Sequence, residues 1–240
     1  MLIPSRRPTT RDLAAWQNTV DRARAWAMTA VHRKRVAKAR DEVLSFTGAG
    51  SCYASVSWGK DSVCVAHLAA TLVPRVPLVW VRVEPDYNPD CPLVRDAFLA
   101  RYRVTYDEIE VRREVGPAKA HGTLVAGAAI AAQRYGDRYM SGVRGSESAA
   151  RSRRVRSGAT SRTCTPIGHW LGIDVFGYLV SHDLPIHPAY ACTMGGLLDP
   201  EQIRVGPIGG ARGARPGDGH GRAEWEQRYY GAELLKLSST

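Results

Sequence analysis

The residues best equipped for chemistry fall within ten positions, Tyr53-Ala-Ser-Val-Ser-Trp-Gly-Lys-Asp-Ser62. Ala54 and Val56 mark a buried strand face and Ser57 to Ser62 a tight turn. Val63, Val65, Ala66, Leu68 and Ala69 then continue at helical spacing. Such a turn points several backbone N–H groups at one spot before a helix N-terminus. Free donors and the positive end of the macrodipole make that spot an anion site. Gly59 lets the chain approach a ligand with no Cβ in the way. Lys60 adds a full positive charge, and Ser57 and Ser62 add hydroxyl donors. Phosphate is the natural occupant. Ser55, Ser57, Trp58, Gly59, Lys60, Asp61 and Ser62 are the candidate binding residues here. Asp61 has two expected jobs, helping to hold Mg2+ beside the phosphates or capping the helix. Mg2+ takes one or two carboxylates plus phosphate oxygens, so a single Asp is no objection.

The common ATPase loop needs a Gly five positions before its Gly-Lys pair and a Ser or Thr directly after it. Here position 54 is Ala, and Asp61 follows Lys60. The stretch resembles instead the Ser-Gly-Gly-Lys-Asp-Ser loop of the PP-loop (ATP pyrophosphatase-like) superfamily, with Trp58 in place of that loop's first Gly or Phe. Two later segments extend the resemblance. Tyr139-Met-Ser-Gly-Val-Arg-Gly-Ser-Glu-Ser-Ala-Ala-Arg151 is similar to the Gly-Ile-Arg-x-x-Glu-Ser-x-x-Arg segment of the phosphoadenosine phosphosulfate (PAPS) reductase family. Thr165-Pro-Ile-Gly-His-Trp170, Asp174-Val175 and Leu184-Pro-Ile-His-Pro-Ala-Tyr190 resemble the family's Pro-Ile, Trp, Asp-Val and closing Pro-x-Tyr. All segments stand in family order, from Ser51 to Tyr190.

The resemblance implies an adenine nucleotide alpha-hydrolase-like fold and an enzyme binding ATP or PAPS, with Mg2+ expected; because the Cys-Cys and Cys-x-x-Cys pairs of iron–sulfur-containing relatives are absent, no iron–sulfur cluster is expected. It implies phosphates on the Ser57–Ser62 turn, and adenine or ribose near Val83 and Glu84. Gly142, Arg144, Glu147 and Arg151 are expected beside them. Guanidinium groups match phosphate and sulfate two bonds at a time, and Glu147 either orients one arginine or is a plain helix-start carboxylate. Lys60, Asp61 and Arg144 are the candidate catalytic residues. PP-loop enzymes commonly split ATP between the α and β phosphates, whereas PAPS reductases use a cysteine thiolate from a Glu-Cys-Gly-Leu-His motif. That motif is missing after Tyr190, where Cys192 is the only cysteine. Three readings stay open. The first is an enzyme acting at the nucleotide's phosphates, in sulfur metabolism or nucleic-acid modification. The second is a strict sulfonucleotide reductase using Cys192. The third is a non-enzymatic, nucleotide-dependent nucleic-acid-binding module.

Composition bounds these readings. The chain has 240 residues, 44% hydrophobic and 23% charged, as expected for one sizeable core with an added subdomain. Its net charge of +10, from 33 Lys plus Arg against 23 Asp plus Glu, suits a polyanionic ligand, either nucleotide or nucleic acid. The partners expected are an adenine nucleotide, with nucleic acid and a second copy of the chain as further candidates, and no membrane. Five scattered cysteines and no apolar signal core lead to a cytoplasmic expectation. The basic cluster at Arg22 to Arg40 is expected to form a solvated helix face, with Leu13, Trp16, Val20 and Ala23 as that helix's apolar docking stripe, and the one at Arg151 to Arg162 either a loop closing over a phosphate-rich ligand or a plain surface loop.

The elements that must position these residues alternate. Helices are expected over Asp12–Leu44, Ser62–Leu72, Leu93–Tyr102, Gly122–Tyr135 and Asp174–His182, the last with Asp174 as N-cap. Strands are expected over Cys52–Val56, Leu78–Val83, Tyr106–Val111 and Arg138–Val143. This alternation predicts an α/β fold with a doubly wound, mostly parallel sheet whose ligand sits beyond the strands' carboxyl ends. Residues 1–45 read as an N-terminal basic helical segment, 46–190 as the nucleotide-binding domain and 191–240 as a Gly-rich C-terminal extension. The Gly206–Gly221 stretch reads as an arm or lid, with Trp225, Tyr229 and Tyr230 docking on the body.

Overall fold

The computed structural model describes residues 1–85, 87–112, 120–156, 159–206, 208 and 222–238. Strands β1 (Tyr53–Ser55), β2 (Leu78–Glu84), β3 (Tyr106–Arg112), β4 (Tyr139–Met140) and β5 (Thr163–Cys164) form one sheet in the order β3-β2-β1-β4-β5. Every pairing is parallel. The chain moves outward from β1 to β2 and β3, then returns to β1's other side for β4. The crevice between the carboxyl ends of β1 and β4 is therefore the topological switch point, where open α/β sheets bind ligands.

Helices cover both faces of the sheet. Helix α3 (Lys60–Leu72) follows β1, α4 (Cys91–Leu99) follows β2, α5 (Ala120–Tyr135) follows β3, and α6 (Ala149–Arg156) follows β4. Helix α5 covers one face with Ala131 against Tyr53, Val79 and Ile109. A Cβ on Gly127 would meet Val81 at 2.2 Å, so only glycine lets this helix approach the sheet. The other face carries the larger core, to which α1 (Thr10–Ala27), α2 (Ala30–Gly48), α3, α7 (Gly172–Ser181) and α8 (Arg222–Ser238) contribute.

Several boundaries differ from expectation for local reasons. The single helix expected over Asp12–Leu44 is two, because Thr29 caps a new start and accepts the His32 N–H. Helix α1 opens with a capping box between Thr9 and Asp12. Of its expected apolar stripe, Trp16 and Ala23 are buried, but Leu13 is 45% exposed while the carboxylate of Asp12 is fully buried. Asp174 is not the N-cap of α7. Leu171 holds that position, and Asp174 reaches back to accept its N–H at 2.8 Å. The same carboxylate accepts Trp26 Nε1–H at 2.7 Å and bonds Arg35. Arg35 thus leaves the solvated face that Arg22, Arg24, Arg33, Lys34, Lys38 and Arg40 make. The loop expected at Arg151 to Arg162 begins as helix α6. Most of the expected arm at 206–221 lies outside the described residues. Trp225, Tyr229 and Tyr230 do dock on the body, at 3%, 5% and 0% exposure.

Burial also sets a pH response. Burial holds His67 and His187 neutral, each lowered from 6.5 to about 4. His187 Nδ1 accepts the Ala189 N–H, so Nε2 carries the proton, 3.1 Å from Asn88 Oδ1. Between pH 6.5 and 4 the unfolded chain binds protons that the folded chain refuses, so stability falls as pH falls through that window. The expected loss approaches about 3 kcal/mol per histidine at the lower limit. Calorimetric melting at pH 7 and pH 4.5 measures it, and an unchanged melting temperature would contradict the assignment.

Candidate active site

The turn after β1 ends at Gly59, the N-cap of α3, with Lys60, Asp61 and Ser62 as the first helical residues. Trp58 makes the bend with φ 61°, a left-handed conformation that bulky residues rarely adopt. Its indole does not face a ligand. It is fully buried, 5.6 Å from the Phe98 ring and 5.8 Å from the Tyr106 ring. Trp58 is therefore corrected from binding side chain to the buried pin of the bend.

Some donors of the expected cradle are already used. The Ser57 N–H goes to Ser62 Oγ at 3.1 Å, and the Lys60 N–H goes to the Tyr190 hydroxyl at 2.9 Å. The first N–H groups of a helix have no intrahelical acceptor, and those of Asp61 and Ser62 have no hydrogen-bond partner among the described residues. The loop after β4 closes on them. A Cβ at Gly142 would stand 2.8 Å from the Asp61 carbonyl carbon and 2.9 Å from the Ser62 nitrogen. Glycine at 142 is thus required by the approach of two backbones.

Ser55, Ser57, Gly59, Lys60, Asp61, Ser62, Gly142, Glu147 and Arg151 come together around one cavity of about 290 Å³. Arg144 lines an adjoining cavity of about 730 Å³, whose wall shares Lys60, Glu147 and Arg204 with the first. Val83 and Glu84 line neither cavity; Val83 is buried and Glu84 is paired with Arg82.

The charged groups form a chain. Arg144, 3% exposed, donates through Nε to Asp61 Oδ1 at 2.6 Å and through Nη1 to Ser146 at 3.0 Å. Lys60 Nζ stands 3.7 Å from Asp61 Oδ2 and 4.7 Å from the centre of the Tyr190 ring. It donates to the Ile203 carbonyl at 3.1 Å. Arg151 pairs with Glu147, and Arg204 donates to the Glu147 carbonyl at 2.9 Å. Glu147 also accepts the backbone N–H of Arg144, as the first-turn carboxylate of the short turn Gly145–Glu147, so its geometry fits both expected jobs, capping that turn and pairing with Arg151. Among the described residues, the smaller cavity's wall thus carries Lys60, Arg151 and Arg204 with Asp61 and Glu147, and the larger one adds Arg144 and Arg222 with Asp199 and Glu201. Burial, above all, lowers the Lys60 pKa; Arg144 adds to the fall and Asp61 opposes it.

Asp61 does not fit the expected role in holding Mg2+. Its carboxylate is clasped by Arg144 and flanked by Lys60, where a second cation would be repelled. Among the described residues, no group of three His, Cys, Asp or Glu side chains could hold a metal ion. The thiols are no better placed as nucleophiles. All five cysteines are buried. Cys192 is fully buried, with its thiol on the Pro188 carbonyl, and burial pushes its pKa up to about 12.

Sequence reading missed Ser141, Tyr190 as a site residue, and Arg204. Tyr190 had a signal, since it closes the third segment. Ser141 directly precedes Gly142; its Oγ is buried and has no hydrogen-bond partner among the described residues, and the residue lines the smaller cavity. Arg204 had no signal, being one arginine in a basic extension.

A family model described as the phosphoadenosine phosphosulfate reductase domain matches residues 51–195. Comparison with the curated proteins found no match. A crystal structure of phosphoadenylyl-sulfate (PAPS) reductase from Candida auris, in a phosphate complex, is similar at 11% identity and a TM-score of 0.47. The similarity covers 62% of this chain and 82% of that one. No helix among the described residues is long and apolar enough to cross a membrane.

Proposed function

The chain belongs to the phosphoadenosine phosphosulfate reductase domain family, and on that premise we propose that it binds an adenine nucleotide and acts at its phosphates. The observation carrying this reading is the cradle itself. Helix N-terminal N–H groups, a buried Ser141 hydroxyl with no partner among the described residues, and three cations (Lys60, Arg151 and Arg204) against two carboxylates converge on one cavity at the switch point. Buried polar groups normally have partners, so a lone buried hydroxyl in a cavity wall supports a ligand there.

In the reaction proposed, an acceptor oxygen, water in the simplest case, bonds the α-phosphorus. The bond from that phosphorus to the bridging oxygen breaks, and the electron pair leaves on pyrophosphate. Lys60 and the arginines would stabilise the charge that grows on the departing group. Thiolate attack on a sulfonucleotide draws no support from Cys192, whose sulfur is sealed from the cradle. Incubation with ATP and Mg2+ is expected to yield AMP and pyrophosphate by ion-exchange chromatography. Incubation with PAPS and a reduced thiol donor is expected to leave sulfite undetected. Sulfite formation abolished by Cys192→Ser would overturn the phosphate reading.

A further inference from the structure

The family match ends at residue 195, yet the charged wall does not. Ile203, Arg204 and Val205 cross between the two cavities. Ile203 supplies the carbonyl that receives Lys60 Nζ, and a Cβ built on Gly59 would lie 4.0 Å from Val205. Arg204 lines both cavities. Its backbone is braced from α8, where Arg222 Nη1 donates to the Arg204 carbonyl at 2.8 Å while Arg222 Nε holds Glu226 at 2.7 Å. Its guanidinium is braced at the Glu147 carbonyl.

We infer that Lys60 and Arg204 form a second anion subsite at the junction of the cavities, which takes the next phosphate of a nucleotide whose first phosphate lies on the α3 N-terminus. The inference rests on the nucleotide reading above. Volume supports it. The smaller cavity, at about 290 Å³, is at the low end for a small-molecule site, so a longer phosphate tail passes the junction into the larger one. Charge supports it too. Among the described residues, the wall shared by the two cavities carries Lys60 and Arg204 with one carboxylate, Glu147, which pairs with Arg151, while Asp199 and Glu201 line only the larger cavity. Guanidinium can hold a phosphate through two parallel bonds, which the Lys60 ammonium cannot. The subsite therefore selects tail length, with pyrophosphate-bearing nucleotides preferred over monophosphates.

Isothermal titration with AMP and ATP, on the wild type and on Arg204→Ala and Arg204→Lys, tests this. The wild type is expected to prefer ATP. Arg204→Ala should shrink the ATP-over-AMP ratio about tenfold, the loss expected for one charged hydrogen-bonding partner. Arg204→Lys should recover part of it. The ratio is read within each variant, and melting curves confirm that each is folded. If Arg204→Ala keeps the wild-type ratio while Lys60→Met still weakens binding roughly 100-fold, the subsite is wrong and the nucleotide reading stands. If the wild type binds neither nucleotide, both fall together.

Discussion

Lys60→Met is expected to weaken adenine-nucleotide binding by roughly 100-fold, the cost of removing one charged hydrogen-bonding partner at the upper end of its range. The same substitution should leave the melting temperature within a few degrees of the wild type. Lys60 is 3% exposed, and burial already works against its charge. Methionine supplies an unbranched apolar side chain and relieves that penalty, which offsets the lost cation–π contact with Tyr190 and the lost bond to the Ile203 carbonyl. Titration calorimetry and thermal unfolding on one preparation measure both effects. Full affinity in the variant would remove Lys60 from the site. A collapse of both binding and stability would recast it as structural.

Asp12→Ala is expected to give the largest loss of stability. Its carboxylate is fully buried and accepts the Thr9 N–H at 2.9 Å, the Thr193 N–H and hydroxyl at 3.1 Å, the Gly195 N–H at 2.7 Å and the Tyr229 hydroxyl. Burial disfavours its charge, but these donors more than compensate and hold its pKa at about 2. Alanine would strand them without an acceptor, at a cost of about 3–5 kcal/mol. For a chain of this size that is a fall of roughly 10 °C in melting temperature. Differential scanning calorimetry reads it, and a fall under two degrees would show that water replaces the carboxylate freely.

The contrast between these residues shows what a sequence can disclose. Lys60 was legible because its role is local. Strand, turn and helix start follow one another within ten residues, and the apolar period changes at the turn. The parallel sheet was legible from the alternation of elements, and Arg144 and Arg151 from a second short segment. Asp12 was not. It lies on a helix whose apolar stripe seemed to face inward through Leu13, and its importance comes from donors more than 180 residues away. Val83 and Glu84 were placed by analogy alone, and the sheet carries them away from both cavities. Arg204 was invisible for the same reason as Asp12, since α8 fixes its position from beyond the Gly-rich stretch.

Trp58 carries a wider consequence. A bulky residue at φ 61° is costly, on the order of 1–3 kcal/mol, and persists only where the surroundings insist on it. Here the insistence comes from Phe98 on α4 and Tyr106 on β3, neither of which lines the cradle. A saturation scan scored on ligand capture would therefore light up at 98 and 106, positions that a survey of the cavity walls passes over. Affinity and core packing are, at this one bend, the same trait, and selection on either drags the other with it.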